Sequence, residues 1–164
     1  MSTDKTPITP AIRFLRDHGV EFVPHQFQYQ ERGGTSVSSR ELGVSEHAVI
    51  KTLIMETDRK DALVVLMHGD LQVSTKNLAR FMSVKSVSPC TPETANRLSG
   101  YQVGGTSPFG LRTPLPLYMQ STIADLERIY INGGGKGFLI EIATRELIRV
   151  LKPIHVDVST ERKA

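Results

Sequence analysis

The chain has 164 residues, 39% of them hydrophobic and 23% charged, with a net charge of +3. Those values suit one globular domain with a core that needs no cross-links. The single cysteine, Cys90, excludes an internal disulfide framework and any multi-cysteine zinc site. No apolar run approaches the roughly 20 residues of a membrane span, and residues 1–9 are too polar for a signal sequence. A cytoplasmic protein without a membrane partner is expected. The basic excess leans toward a polyanionic partner, yet no Lys/Arg run of the nucleic-acid-tail kind occurs, and no DNA partner is expected.

Residues 1–8 read as a frayed end, 9–158 as one domain and 159–164 as a tail. Thr9 can cap a helix that has Pro10 at its first position, carries Ala11, Ile12, Phe14 and Leu15 as an apolar stripe, and stops at Gly19. Residues 21–29 read as a strand with His25, Phe27 and Tyr29 on one face. A loop over 30–35 precedes a short helix capped by Ser36 and ended by Gly43, and Ser45 caps a further turn.

Residues 49–55 and 62–68 read as the two strands of a hairpin. Ser74 caps a helix reaching 81 or 82, 84–87 resembles a short strand, and Thr91 with Pro92 opens a helix closed at Gly100. Prolines 114 and 116 limit the strand at 114–119 to an edge or a strand start. A helical turn near 123–127 leads to a strand at 128–131, a glycine turn over 132–137 and a strand at 138–142. Thr144 caps a last helix ended by Pro153, and 156–158 can add a strand. Hairpins interleaved with helices predict an α/β (α+β) domain with a mixed, mostly antiparallel sheet surrounded by helices.

Two features invite chemistry. The stretch 104–110, with Gly104, Gly105, Thr106, Ser107, Pro108, Phe109 and Gly110, is rigid and bare of large side chains at its start. It is either a tight connection or a loop whose fixed amide donors hold an oxygen-rich ligand. Lys51, inside an apolar strand, is either on a solvated face or a cation in a pocket, sharing its face with Val49, Leu53 and Met55. The run Asn132, Gly133, Gly134, Gly135 and Lys136 departs from the P-loop pattern, because a strand rather than a helix follows it; a glycine hairpin with a basic tip is the expected form. The histidines show no HxxxH or HxH spacing, so no metal site is expected. Neither a Gly-x-Ser-x-Gly elbow nor a dinucleotide fingerprint is present, and no cofactor is expected.

The motifs Ile50-Lys51-Thr52-Leu53, the run from Gly100 to Gly110, and Ile129-Tyr130 ahead of the glycine turn resemble the YbaK/EbsC family of free-standing aminoacyl-tRNA editing domains, similar to the insertion domain of bacterial prolyl-tRNA synthetase. The resemblance implies a trans-editing deacylase acting on mischarged tRNA(Pro), most often Cys-tRNA(Pro): a hydrolase, or lyase-like where the substrate thiol cyclises. It implies the tRNA(Pro) acceptor end as partner, and prolyl-tRNA synthetase as a second one. It makes Lys51, Gly104 and Gly105 the catalytic set and Phe27, Tyr29, Thr106, Ser107, Pro108, Asn132, Gly133 and Gly134 the substrate-binding set. An Ala-tRNA(Pro) hydrolase and a non-catalytic module for a tRNA end or small molecule are the alternatives. Cys-specific members carry Tyr where this chain has Phe27; Tyr29, two residues on, is expected to take over that hydroxyl.

Overall fold

The fold is built on two strand pairs that local sequence dictates. In the computed structural model, which describes residues 6–161, the Thr9 hydroxyl accepts from the Ile12 amide and starts α1 (Pro10–Asp17). The expected frayed start at residues 1–5, and residues 162–164 of the expected tail, lie outside the described residues. The strand β2 (Val49–Thr57) pairs antiparallel with β3 (Ala62–His68), and β7 (Arg128–Gly135) with β8 (Phe138–Ala143). They merge through a parallel contact of Val49 and Ile50 with Tyr130 and Ile131. The full order is β1-β8-β7-β2-β3-β6-β9, with β5 beside β2; a second, two-stranded sheet joins β4 (Leu71–Val73) to β10 (Ser159–Glu161). The remaining strands are β1 (Val23–Gln26), β5 (Val87–Pro89), β6 (Leu117–Gln120) and β9 (Ile154–Val156), and the helices are α2 (Gly34–Leu42), α3 (Thr75–Met82), α4 (Pro92–Ser99) and α5 (Thr144–Leu151). The sheet is thus mixed and mostly antiparallel, as expected. Among the described residues no helix is long and apolar enough to cross a membrane.

Alternation along β2 and β3 sends side chains to two cores. Ile50, Ile54, Val64 and Leu66 join α1 and α5 residues on one side, while Met55, Leu63, Val65 and Met67 meet Leu78 and Ala79 of α3 on the other. Phe109, wholly buried, plugs the 104–110 loop into the first core next to Phe14, at 5.9 Å between ring centres. The Tyr101 hydroxyl donates to the Phe109 carbonyl and pins the same loop from behind; burial pushes that phenol up to about 12.

Several boundaries differ from the sequence reading, each for a visible reason. The strand expected over 21–29 is only Val23–Gln26, because β8 begins at Phe138, opposite Gln26, and offers residues 27–29 no ladder. The Ser36 hydroxyl donates back to the Gly33 carbonyl instead of capping, so α2 begins at Gly34. The Val84 amide closes α3 on the Ala79 carbonyl and Asp58 Oδ1 holds the Lys85 and Ser86 amides, delaying β5 to Val87. Prolines 114 and 116 precede β6, which lies between β3 and β9 rather than at an edge. Thr144 is the first residue of α5 and its hydroxyl caps nothing. The strand expected over 156–158 falls at Ile154–Val156, and residues 159–161, read as the start of the tail, form β10 and pair with β4, a strand the sequence reading lacks.

Candidate active site

A cavity of about 710 Å³ opens where β7 and β5 both leave β2. Residues 51–53 of β2 border it, together with residues of α2, Ala95 of α4 and the glycine loop. Of the residues singled out from sequence, Phe27, Tyr29, Lys51, Gly104, Thr106 and Asn132 all line it. Lys51 is half-buried and projects from the face of β2 that carries Leu53 and Met55, which is the pocket alternative of the two sequence readings.

The glycine loop is fitted to its neighbours by the absence of side chains. Gly104 has φ +92°, and a Cβ there would lie 2.6 Å from the Tyr29 hydroxyl oxygen. At Gly105 a Cβ would lie 2.9 Å from the Gly135 carbonyl carbon and 3.0 Å from the Lys136 nitrogen, so loop and hairpin backbones touch. The Gly105 amide donates to the Gln102 carbonyl at 2.8 Å and is therefore engaged within the loop. The Val103 amide is likewise held, by Asn96 Oδ1 at 3.0 Å, and that of Phe109 by Ser107 Oγ at 3.2 Å. Among the described residues the amides of Gly104 and Thr106, the loop glycine and threonine that line the cavity, show no such bond. The donors the loop can offer are thus those of Gly104 and Thr106, rather than Gly105.

Asn132 ties the hairpin to the loop. Its Nδ2 donates to the Gly104 carbonyl at 3.3 Å, and its Oδ1 accepts from Gly134 and Gly135 amides at 2.7 and 3.0 Å. These bonds accompany a bulge between Asn132 and Gly135, which leaves a tight turn at Lys136 and Gly137. Lys136 Nζ stands 5.2 Å over the Tyr29 ring and 3.5 Å from Glu31 Oε1, bracing the cavity wall that carries Phe27 and Tyr29.

Five of the expected residues, Gly105 among them, lie away from the cavity lining. Ser107 and Pro108 are buried behind the loop, where they hold its shape. The Gly133 carbonyl accepts from the Thr9 hydroxyl at 2.6 Å, a Cβ on Gly133 would meet the Phe138 ring, and one on Gly134 would meet Tyr101 and Thr9.

Sequence reading missed the apolar wall of Val37, Val49 and Leu139 and the mouth residue Val103, 51% exposed. Nothing local marks these positions, since the wall forms only when α2, β2 and β8 converge. Cys90 also lines the cavity; burial first, then the Glu56 carboxylate, pushes its thiol up to about 11, which keeps it protonated and a poor nucleophile at neutral pH.

A second cluster, invisible as spacing, is brought together by the pairing of Ile50 with His68: His47, His68 and Asp70 have possible ligand atoms within 4.8 Å of one another. The two imidazoles are stacked at 3.7 Å and 6°, so their in-plane lone pairs lie in parallel planes and do not converge on one ion. His68 Nδ1 donates to the His47 carbonyl at 2.7 Å, which leaves Nε2 to accept from Thr122 Oγ1 at 2.8 Å; His47 Nδ1 bonds Asp70 Oδ1 at 2.9 Å. The group as arranged is a satisfied hydrogen-bonded stack.

Residues 34–150 match the family model described as aminoacyl-tRNA editing domain. EbsC of Enterococcus faecalis, provisionally named a Cys-tRNA(Pro)/Cys-tRNA(Cys) deacylase, is 24% identical over 154 residues, covering 93% of this chain and 94% of EbsC. A proline–tRNA ligase of Sulfurihydrogenibium sp. is 31% identical over 97 residues, 59% of this chain and 17% of the ligase. Among solved structures, hypothetical protein APE2540 superposes with a TM-score of 0.84 at 22% identity, over 93% of this chain and 100% of its own. A structure described as a provisional trans-editing enzyme for prolyl tRNA synthetase gives 0.80 at 20% identity, over 94% and 99%. At those identities the superpositions bear on the fold. The family match covers most of the folded chain, cavity strands included, and the chain belongs to the aminoacyl-tRNA editing domain family.

Proposed function

We propose that this chain is a trans-editing deacylase that clears a mischarged amino acid, foremost Cys, from tRNA(Pro). The observation that carries the reading is the convergence of Lys51, the Gly104 and Thr106 amides and the Phe27–Tyr29 wall on one cavity in a chain of this family. An aminoacyl ester is already activated, so a catalyst needs mainly to position the carbonyl and stabilise the developing oxyanion. Each preorganised donor is worth roughly 10²–10³ in rate. Lys51, with donors and no acceptor, holds an acyl or phosphate oxygen; the loop amides receive the oxyanion.

For a cysteinyl ester the nucleophile is the substrate's own sulfur. A C–S bond forms at the carbonyl carbon, the ester C–O bond breaks, and the ribose oxygen leaves with the proton the thiol gave up; water then opens the thiolactone. The protein need supply no nucleophile, in keeping with a protonated Cys90. The Tyr29 hydroxyl against Gly104 supports its role as the phenol that Phe27 lacks. The apolar lining at Val37, Val49 and Leu139 suits a small uncharged side chain and favours Ala-tRNA(Pro) as the second reading, with water as nucleophile.

Incubating the protein with Cys-, Ala- and Pro-tRNA(Pro) tests the reading. Deacylation of Cys-tRNA(Pro) ahead of the other two is expected; preference for Ala supports the second reading; acceleration of none leaves a binding module and overturns both.

A further inference from the structure

The strand β2 divides one edge between two partners, pairing Val49 and Ile50 with β7 and residues 55–57 with β5. Residues 51–53 register with neither. Backbone alternation decides what this gap exposes. The Val49 carbonyl accepts from the Gly69 amide at 2.7 Å and the Thr57 amide donates to Asp61 at 2.9 Å, both on the β3 side, whereas the Ile54 carbonyl accepts from Cys90 at 3.0 Å on the opposite side. Odd-numbered residues therefore turn their N–H and C=O toward β3, and even-numbered ones toward the cavity. Thr52 is the even-numbered residue within the gap, so both of its backbone polar groups face the cavity with no strand residue opposite.

Its side chain carries a second, independent signal. Thr52 is half-buried and lines the cavity, yet its Oγ1 is shut off from solvent and has no hydrogen-bond partner. Buried hydroxyls are nearly always partnered; among the described residues only Thr144 Oγ1 shares this condition. Because the hydroxyl holds no bond, a turn about χ1 that brings it to the cavity breaks none, and threonine has more than one populated χ1 well.

We infer that Thr52 is the seat of the substrate's α-amino group, with its carbonyl and Oγ1 accepting from the ammonium. This rests on the aminoacyl-ester reading above. The pairing is complementary: Lys51 brings only donors, and Thr52, projecting from the other face of the same open edge, brings the two acceptors that an ammonium needs. Every amino acid carries that group, so Thr52 positions the ester without selecting the side chain.

The test is Thr52→Val, which keeps the β-branched shape, assayed on Cys- and Ala-tRNA(Pro) and on their α-hydroxy counterparts, mercaptolactyl- and lactyl-tRNA(Pro). A loss of about 10-fold or more in kcat/KM on the α-amino esters, with the α-hydroxy esters unaffected, is expected for a charge-assisted hydrogen bond. Equal loss on both classes, or loss on neither, overturns the assignment. Removing an unpartnered buried hydroxyl also raises the melting temperature by about 2–4 °C, as does Thr144→Val, which leaves all four rates unchanged. A lower melting temperature for Thr52→Val means that the hydroxyl has a partner, and overturns the premise. If the wild-type protein cleaves none of the four esters, the deacylase reading itself falls, and Thr52 with it.

Discussion

The Asn132 side chain bridges two segments 28 residues apart, donating to the Gly104 carbonyl while accepting from the Gly134 and Gly135 amides. One amide group thus shapes the glycine hairpin and fixes the height of the glycine loop over the cavity. Asn132→Asp keeps the acceptor for the hairpin amides but replaces the donor with an oxygen that repels the Gly104 carbonyl. Stability should change by no more than about 1 kcal/mol, while deacylation falls about 10-fold as the loop donors lose their position. Asn132→Ala removes all three bonds and should cost about 2 kcal/mol as well. Urea unfolding beside the deacylation assay separates the effects; a fully active Asn132→Asp protein would show that the loop is set elsewhere.

The two adjacent glycines should fail differently. In Gly104→Ala the new methyl meets the Tyr29 hydroxyl, and φ of +92° adds about 1–2 kcal/mol of strain. Removing that hydroxyl in the double variant Gly104→Ala/Tyr29→Phe should recover part of the lost stability relative to Tyr29→Phe alone. Gly105→Ala instead drives a methyl into the backbone of Gly135 and Lys136. No side-chain change relieves that contact, and a loss of about 1–3 kcal/mol is expected with or without Tyr29→Phe. Thermal melts of the five proteins decide; identical behaviour of the two glycine variants would contradict the packing described.

What the sequence carried and what it did not follows from range. Thr9, Ser74 and Thr91 each sit directly before an apolar-periodic run and each accepts the amide expected of a cap, since capping is decided within four residues. Ser36 shows the limit: its hydroxyl had an equally local alternative, the Gly33 carbonyl, and took it. For the site, Lys51 could be given a face but not a neighbour from periodicity, and its link with the glycine loop came from family resemblance. The engaged Gly105 amide is a turn bond to Gln102 within the loop, whereas the apolar wall on α2 and β8 and the opening at Thr52 depend on where β7 and β5 leave β2. That is a matter of register between distant segments, which no local pattern encodes.

Lys51 is half-buried at the cavity, and truncating a partly exposed side chain to Ala leaves the packed core on either side of β2 in place. Lys51→Ala should lower deacylation by at least about 100-fold, the scale of one oxyanion-stabilising group, with a melt close to that of the parent. Lys51→Arg should not restore the rate, because a planar fork does not reproduce a compact ammonium at the end of a flexible stem. Retained activity in Lys51→Ala would remove this residue from the mechanism.

The pH dependence of stability should turn on His68. Burial holds its imidazole below the ordinary value of 6.5; the His47 carbonyl and the carboxylates of Asp70 and Asp125 pull the other way, and the His47 ring adds to the lowering. The unfolded chain therefore takes up a proton near pH 6.5 that the folded chain still refuses. The contribution of His68 is complete above that pH and is lost as the pH falls toward the folded value, at up to about 1.4 kcal/mol per pH unit. Glu141, held low by His25 first and Arg128 second, acts in a separate, more acidic window below its ordinary 4.5. In His68→Asn the side-chain amide can still donate to the His47 carbonyl, but the Thr122 bond and the ring stack are lost. That variant should be less stable at pH 7.5 by about 1–2 kcal/mol, yet show a shallower decline between pH 6.5 and 5. Urea unfolding across that interval measures both slopes, and parallel curves would mean that the buried imidazole takes up its proton equally well folded and unfolded.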